Sequence, residues 1–193
     1  MSPEIISRDT KYDGWARFMV VEIRLPGGQI VRREVEHHGN AVAVLAYDPG
    51  RKAAILVRQF RAPVFIRSQE PQTLEVIAGI QDEGDSAVTA RREAGEEAGL
   101  ELQSLELVAR TWTIPGISTE QMTLYLATYR HSPQNRGPDR IFEEGITVVE
   151  LALAELDAMM AAGRITDMKT LVLLQALKLR RRDLFDDGGT SEA

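Results

Sequence analysis

The sequence contains no cysteine, which excludes disulfides, zinc-thiolate sites and thiol nucleophiles. It has no G-x4-G-K-[ST] and no G-x-G-x-x-G stretch, so P-loop and Rossmann phosphate binding lack a motif to rest on. No run reaches the ~18 consecutive apolar residues of a membrane span, and the opening MSPEIISRDT lacks the apolar core of a signal peptide. These absences lead to the expectation of a cytoplasmic protein with no membrane partner. Positive charge is not in excess either: Lys and Arg number 23 against 29 Asp and Glu, for a net charge of −6. That balance opposes general affinity for nucleic acid or anionic lipid, both of which depend on summed positive charge. It does not oppose an anionic substrate held through a bound cation.

The 193 residues, 44% of them apolar, suffice for one domain, or one domain with a small extension. Residues 15–37 read as a β-hairpin: Val21, Ile23 and Leu25 alternate with polar neighbours, Pro26-Gly27-Gly28 turns the chain, and Val31 and Val35 resume. Two dense apolar runs, 41–47 and 53–57, flank Asp48-Pro49-Gly50 and read as strands buried on both faces. Further strands are expected at 73–78, 105–113, 122–129 and 146–151, and a polar loop at 131–140. Helices are expected at 86–98, with Asp85 or Ser86 capping its start and Gly99 at its stop, at 153–162, and at 167–182, the last apolar nearly all round. The order implies an α+β fold, a mixed sheet between helices preceded by an N-terminal antiparallel hairpin. The division expected is an N-terminal hairpin region at 1–40, a main domain at 41–185 and a polar tail at 186–193.

The chemistry concentrates in Arg92-Glu93-Ala94-Gly95-Glu96-Glu97-Ala98-Gly99-Leu100. On a helix, residues three and four apart share a face, so Glu93, Glu96 and Glu97 crowd their carboxylates within one turn. Arg92 alone cannot balance three carboxylates. A hard divalent ion such as Mg²⁺, which takes oxygen ligands and substrate phosphates, can do so. Most glutamate-rich helix segments are simply solvated faces. Two glycines argue otherwise here: Gly95, mid-helix, costs about 1 kcal/mol relative to alanine, and Gly79 opens the preceding loop, where backbone approaches a ligand closely.

Arg92–Leu100 resembles, at every specified position, the second half of the Nudix box, R-E-U-x-E-E-x-G-U with U apolar. The first half, G-x5-E, resembles Gly79–Asp85 less closely. Asp stands for Glu, and six residues separate Asp85 from Arg92 where the box has seven. A shortened spacing of this kind is similar to that of GDP-mannose hydrolases, and an Asp could still support Arg92. The resemblance implies a hydrolase that splits the pyrophosphate of a nucleoside-diphosphate sugar, ADP-ribose or GDP-mannose, with Mg²⁺ or Mn²⁺. It implies metal ligation by Glu93, Glu97 and the carbonyl of Ala78, with Glu96 as a variable ligand or water-binding residue beside Arg92 in the catalytic set.

Further positions follow from the same resemblance. Pro115, fifteen residues beyond Leu100, stands where the ADP-ribose group places a proline at its substrate. Glu144, in Phe142-Glu143-Glu144-Gly145, resembles the family's general base. Arg58 and Arg61, in Arg58-Gln59-Phe60-Arg61, resemble arginines that can fork onto a diphosphate. Glu75, in Leu74-Glu75-Val76-Ile77-Ala78-Gly79, resembles a glutamate that meets metal or a ligand-binding arginine. Thr166-Asp167-Met168-Lys169-Thr170 reads as packing and helix capping. Such enzymes are dimers whose N-terminal sheet helps form the partner's site, so a homodimer is expected. The other class of function considered is a catalytically inactive Nudix-fold sensor or binding module. His37-His38, at a hairpin end with no third ligand at suitable spacing, and Lys178 with Arg180–Arg182, in a helix's last turns, read as non-catalytic.

Overall fold

Residues 4–13 show no alternation of polar and apolar residues, yet they form a strand. In a computed structural model, which describes residues 2–81, 84–131 and 145–186, β1 (Glu4–Asp13) pairs antiparallel with β2 (Arg17–Arg24), and β2 with β3 (Ile30–His37). The expected hairpin is therefore the inner part of a three-stranded sheet. Its turn closes through Gly28 N donating to Leu25 O at 2.8 Å, with Gly28 at φ 84°, a conformation that suits a residue without Cβ. β1 escapes sequence reading because all of it is exposed, so no buried face imposes a period.

By contact, the chain divides into two compact units, Met1–Ala41 with Arg110–Met122, and Val42–Ala109 with Thr123–Ala193. In the first, the 110–122 segment lies along β3: Glu36 N donates to Ile117 O at 2.8 Å and Thr119 N to Glu36 O at 3.1 Å.

The second unit is built on an eight-stranded sheet. Its strands are β4 (Asn40–Asp48), β5 (Ala53–Gln59), β6 (Thr73–Glu75), β7 (Ile77–Gln81), β8 (Leu100–Leu102), β9 (Glu106–Trp112), β10 (Gln121–His131) and β11 (Thr147–Ala152). The spatial order is β11-β5-β4-β10-β8, with β6 beside β5, β7 beside β4 and β9 beside β10. The helices are α1 (Ala62–Ser68), α2 (Ser86–Ala98), α3 (Leu153–Ala161) and α4 (Met168–Arg180). This is the expected α+β fold.

β4 and β5 are buried on both faces, as their unbroken apolar runs imply. Val42, Val44, Ile55 and Val57 share a core with Ala90, Ala94 and Ala98 of α2. These alanines recur every fourth residue, so α2 meets the sheet with a stripe of small side chains that lets its axis come close. Leu45 and Leu56 point to the opposite face and are fully buried, as are Leu153, Leu156, Leu173, Leu174 and Leu177 of α3 and α4.

Three local differences from the sequence reading have physical causes. The strand expected at 73–78 is two strands, because Val76 N donates to Thr170 Oγ1 of α4 at 2.8 Å instead of continuing a ladder. α1 was not anticipated; it has no side-chain cap and buries no residue, so it offers neither signal of a helix. Between Leu171 and Leu177, where α4 is apolar nearly all round, burial is confined to one stripe: Leu173, Leu174 and Leu177 are fully buried while Val172 is 37% exposed.

Candidate active site

α2 starts where Asp85 accepts a hydrogen bond from Ala87 N at 2.9 Å and stops at Gly99, which takes φ 63°. Asp85 is thus occupied in capping the helix, and the described partners of Arg92 are Glu93 and Glu96. A short carboxylate one residue ahead of the helix is well placed for this capping role.

With α2 seated on its alanine stripe, Glu93 and Glu97 fall one turn apart and turn toward β7. Glu97 is 6% exposed and its Oε2 accepts from Ala78 N at 3.3 Å. Glu93 lies against Gly79, so closely that any Cβ there would overlap its carboxylate. The two acids and the Ala78–Gly79 backbone thus form a single cradle. Glu96 points outward at 48% side-chain exposure, held by Arg92 Nη1 at 2.6 Å, while Arg92 Nη2 reaches Glu93 at 2.8 Å. Among the described residues, no three or more His, Cys, Asp or Glu side chains are grouped as a ligand cluster.

A second charged group stands beside the cradle on β6. Glu75 is 2% exposed, and its carboxylate takes a two-pronged bond from Arg61, Nε to Oε1 and Nη2 to Oε2, both at 2.8 Å. Lys169 Nζ joins Oε2 at 2.5 Å, and the Thr73 hydroxyl donates to Oε1. Burial alone would raise the pKa of this carboxyl, but the Arg61 hydrogen bond and the charge and hydrogen bond of Lys169 outweigh it and hold the pKa at about 2. Arg61 is correspondingly raised by its bond to Glu75, with Glu97 and Asp167 adding to the field around it. Half-exposed, Arg61 still faces solvent with part of its guanidinium.

The sequence reading placed Lys169 in a packing and capping motif, and Asp167 does cap α4, accepting from Thr170 N at 2.9 Å. Lys169 itself belongs to the charged group, bridging Glu75 and Asp167 at 2.5 and 2.9 Å. A signal was available: a lysine in the first turn of a helix opposes the helix dipole and needs a carboxylate to offset it. Gln59, opposite Thr73 in the β5–β6 register, was also passed over. Its Nε2 is buried with no hydrogen-bond partner among the described residues.

Arg58, near the end of β5, is exposed, and its side chain makes no hydrogen bond with the other described residues. Pro115 belongs to the first unit, exposed in the loop between β9 and β10 at a hollow lined also by Arg33, Val35, Trp112 and Ile117. Glu144 lies outside the described residues, as does most of the loop expected at 131–140. The structure thus brings together Ala78, Glu93 and Glu97, with Arg92 and Glu96 on the same helix, and separately joins Glu75 to Arg61.

Known proteins give this geometry its context. The family model described as NUDIX domain matches residues 37–170. A GDP-mannose pyrophosphatase of Cronobacter sakazakii is 34% identical over 167 residues, covering 85% of this chain and 87% of that protein. One from Pectobacterium atrosepticum is 32% identical, covering 92% and 94%. A crystal structure of an ADP compounds hydrolase superposes with a TM-score of 0.76 at 17% identity, covering 95% of this chain and 96% of that one, which shows a shared fold.

Proposed function

We propose that this chain, which belongs to the Nudix hydrolase family, hydrolyses the pyrophosphate bond of a nucleoside-diphosphate sugar with Mg²⁺, or Mn²⁺ in its place. The products are a nucleoside monophosphate and a sugar phosphate. The observation that carries this reading is the cradle: two adjacent, largely buried carboxylates, Glu93 and Glu97, packed against the Ala78–Gly79 backbone.

The donor set fits a hard divalent ion. Every candidate ligand is oxygen: Glu93, Glu97 and the Ala78 carbonyl, with Glu96, paired to Arg92, on the next face of the same helix. Two carboxylates with a carbonyl are fewer than a full protein cage, as suits Mg²⁺, which keeps several waters and shares substrate phosphates. Bound there, the ion would neutralise pyrophosphate oxygens and make a water nucleophilic near neutral pH. Hydrolysis joins a water oxygen to one phosphorus as the bridging P–O bond breaks, the leaving phosphate taking the electron pair and the general base taking the water's proton. Arg92 holds Glu93 and Glu96 in position. Arg58 and the solvent-facing side of Arg61 are suited to bind phosphate oxygens, and Glu75 keeps Arg61 oriented. The base assigned by resemblance is Glu144, and Pro115 is assigned to the substrate.

The curated relatives named as GDP-mannose pyrophosphatases favour GDP-mannose over ADP-ribose as the substrate. A cytoplasmic homodimer, with the three-stranded sheet in its interface, completes the reading. In its support, Ile5, Tyr12, Trp15 and Ile30 of the first unit are exposed in the single chain.

Incubation of the purified chain with GDP-mannose and Mg²⁺, followed by ³¹P NMR, tests the activity. GMP and a sugar phosphate are expected, with turnover lost on chelation. Glu97→Gln should lower kcat by roughly 100-fold or more, since a metal contributes several kcal/mol to the transition state and each 1.36 kcal/mol is tenfold. An unimpaired Glu97→Gln enzyme overturns the cradle's role. Tight binding of nucleotide sugars without turnover of any would identify a sensor instead.

A further inference from the structure

His38 lies just beyond β3, with both ring nitrogens facing carboxylates: Nδ1 is 2.5 Å from Glu36 Oε1 and Nε2 is 3.4 Å from Glu120 Oε2. A neutral imidazole has one N–H and one lone pair, so it can donate to only one of the two acids. The other acid then faces a lone pair at close range. Only the doubly protonated ring donates to both. The ring is 15% exposed, with Trp15 stacked on it at 5.1 Å between centroids and 18° between planes.

The two acids come from different segments, and each is tied to the Ile114–Glu120 loop. Glu36, on β3, accepts from Ser118 Oγ at 2.7 Å through its second oxygen. Glu120 accepts from Thr113 Oγ1 at 3.0 Å, and its backbone N donates to Ser118 Oγ at 3.1 Å. His37 Nδ1 lies 2.7 Å from Thr119 Oγ1. Arg17, opposite His37 in the register, is turned to Asp13 and leaves the two acids to the histidines. Burial opposes the Glu36 carboxylate, but bonds from Ser118 and His38 and the charge of both histidines hold its pKa below the ordinary value.

We propose that His38 is a protonation-dependent clamp that sets how firmly the Ile114–Glu120 loop is held on β3. The protonated ring draws Glu36 and Glu120 together across the join. On deprotonation the two acids lose their shared cation, and the loop keeps two backbone bonds, Glu36 N to Ile117 O and Thr119 N to Glu36 O, with the side-chain bonds of Ser118 to Glu36 and of His37 to Thr119. The clamp is engaged in a window of pH. It opens on the acid side as Glu36 takes a proton, below the usual carboxylate range, and on the alkaline side as His38 loses one. Because the loop contains Pro115, the clamp would tune substrate affinity, a consequence that rests on the substrate role proposed for Pro115.

The test uses the full chain labelled with ¹⁵N. Ring-nitrogen shifts report the protonation of His38, and amide protection, corrected for intrinsic exchange, reports the hold on Glu36, Thr119 and Glu120. Across about pH 5.5 to 8.5, protection should fall several-fold in step with the loss of the ring proton that the ¹⁵N shifts report. In His38→Gln, which cannot ionise, that step should vanish. A neutral His38 throughout the range, or the same step in His38→Gln, overturns the clamp. The KM for GDP-mannose should follow the step in wild type and be flat in His38→Gln, with kcat unaffected. If protection follows His38 while KM does not, the clamp stands and the placing of Pro115 at the substrate fails.

Discussion

A methyl group added at Gly79 would overlap the Glu93 carboxylate, whereas one added at Gly95 meets nothing nearer than the Leu100 carbonyl at 4.0 Å. Both glycines lie in the box-like segment, and both suggest function when only the sequence is read. Their surroundings assign them different roles. Gly79 is required by a neighbour: its missing side chain is the space in which the Glu93 carboxylate sits, the one proposed to hold metal. Gly95 is an exposed position inside a helix, and nothing in the structure explains why it is glycine. Gly95→Ala should therefore stabilise the fold by about 1 kcal/mol, the helix-propensity difference, read from the thermal unfolding midpoint, with turnover intact. Gly79→Ala should keep the helical circular dichroism while displacing Glu93. A misplacement of about 1 Å in a catalytic constellation lowers rate by up to ~100-fold, and kcat on the nucleotide sugar measures it.

At the scale of elements, the site depends on how β6 and α4 are joined. Asp167 caps α4 and accepts from the Thr170 hydroxyl, Thr170 receives Val76 N, and Lys169 reaches back to Glu75. One helix start thus positions the strand that leads into Ala78. The pKa of Glu75, held at about 2, makes this join sensitive to acid. A carboxyl whose folded pKa lies below its unfolded value of ~4.3 stabilises the fold fully above that value. The stabilisation is lost as pH falls from there through about 2. Glu75→Gln should remove this part of the acid limb in pH-dependent unfolding. It should also destabilise the neutral protein by about 2 kcal/mol, less than the 3–5 of a fully buried broken pair because Arg61 can turn to solvent. An unchanged acid limb would show that Glu75 is not so held.

Much of this scale was readable beforehand, and the exceptions are instructive. α2, with its cap at Asp85 and stop at Gly99, and the paired runs of β4 and β5 carry local signals strong enough to survive folding. The break at Val76 was hidden because it is decided by a partner ninety-four residues away in sequence, and the first-turn position of Lys169 marks its need for a carboxylate without saying that it is Glu75, equally distant. Glu93, Glu96 and Glu97 were legible through their helical spacing. The inward turn of the first and third and the outward turn of the second depend on which stripe of α2 meets the sheet.

For the molecule as a whole, the proposed homodimer predicts a solution mass near twice the 21.5 kDa chain by light scattering coupled to size exclusion. A monomeric mass at assay concentration would remove the three-stranded sheet from any role in assembly. The shape of that sheet's free edge has a consequence of its own. β1 departs from regular register between Ile5 and Ser7 and again between Thr10 and Tyr12, and charged Arg8, Asp9 and Lys11 punctuate it. Such irregularities keep an edge strand from acting as an endless template for further strands. An assembly formed there is steered to end at a closed pair instead of growing into fibrils.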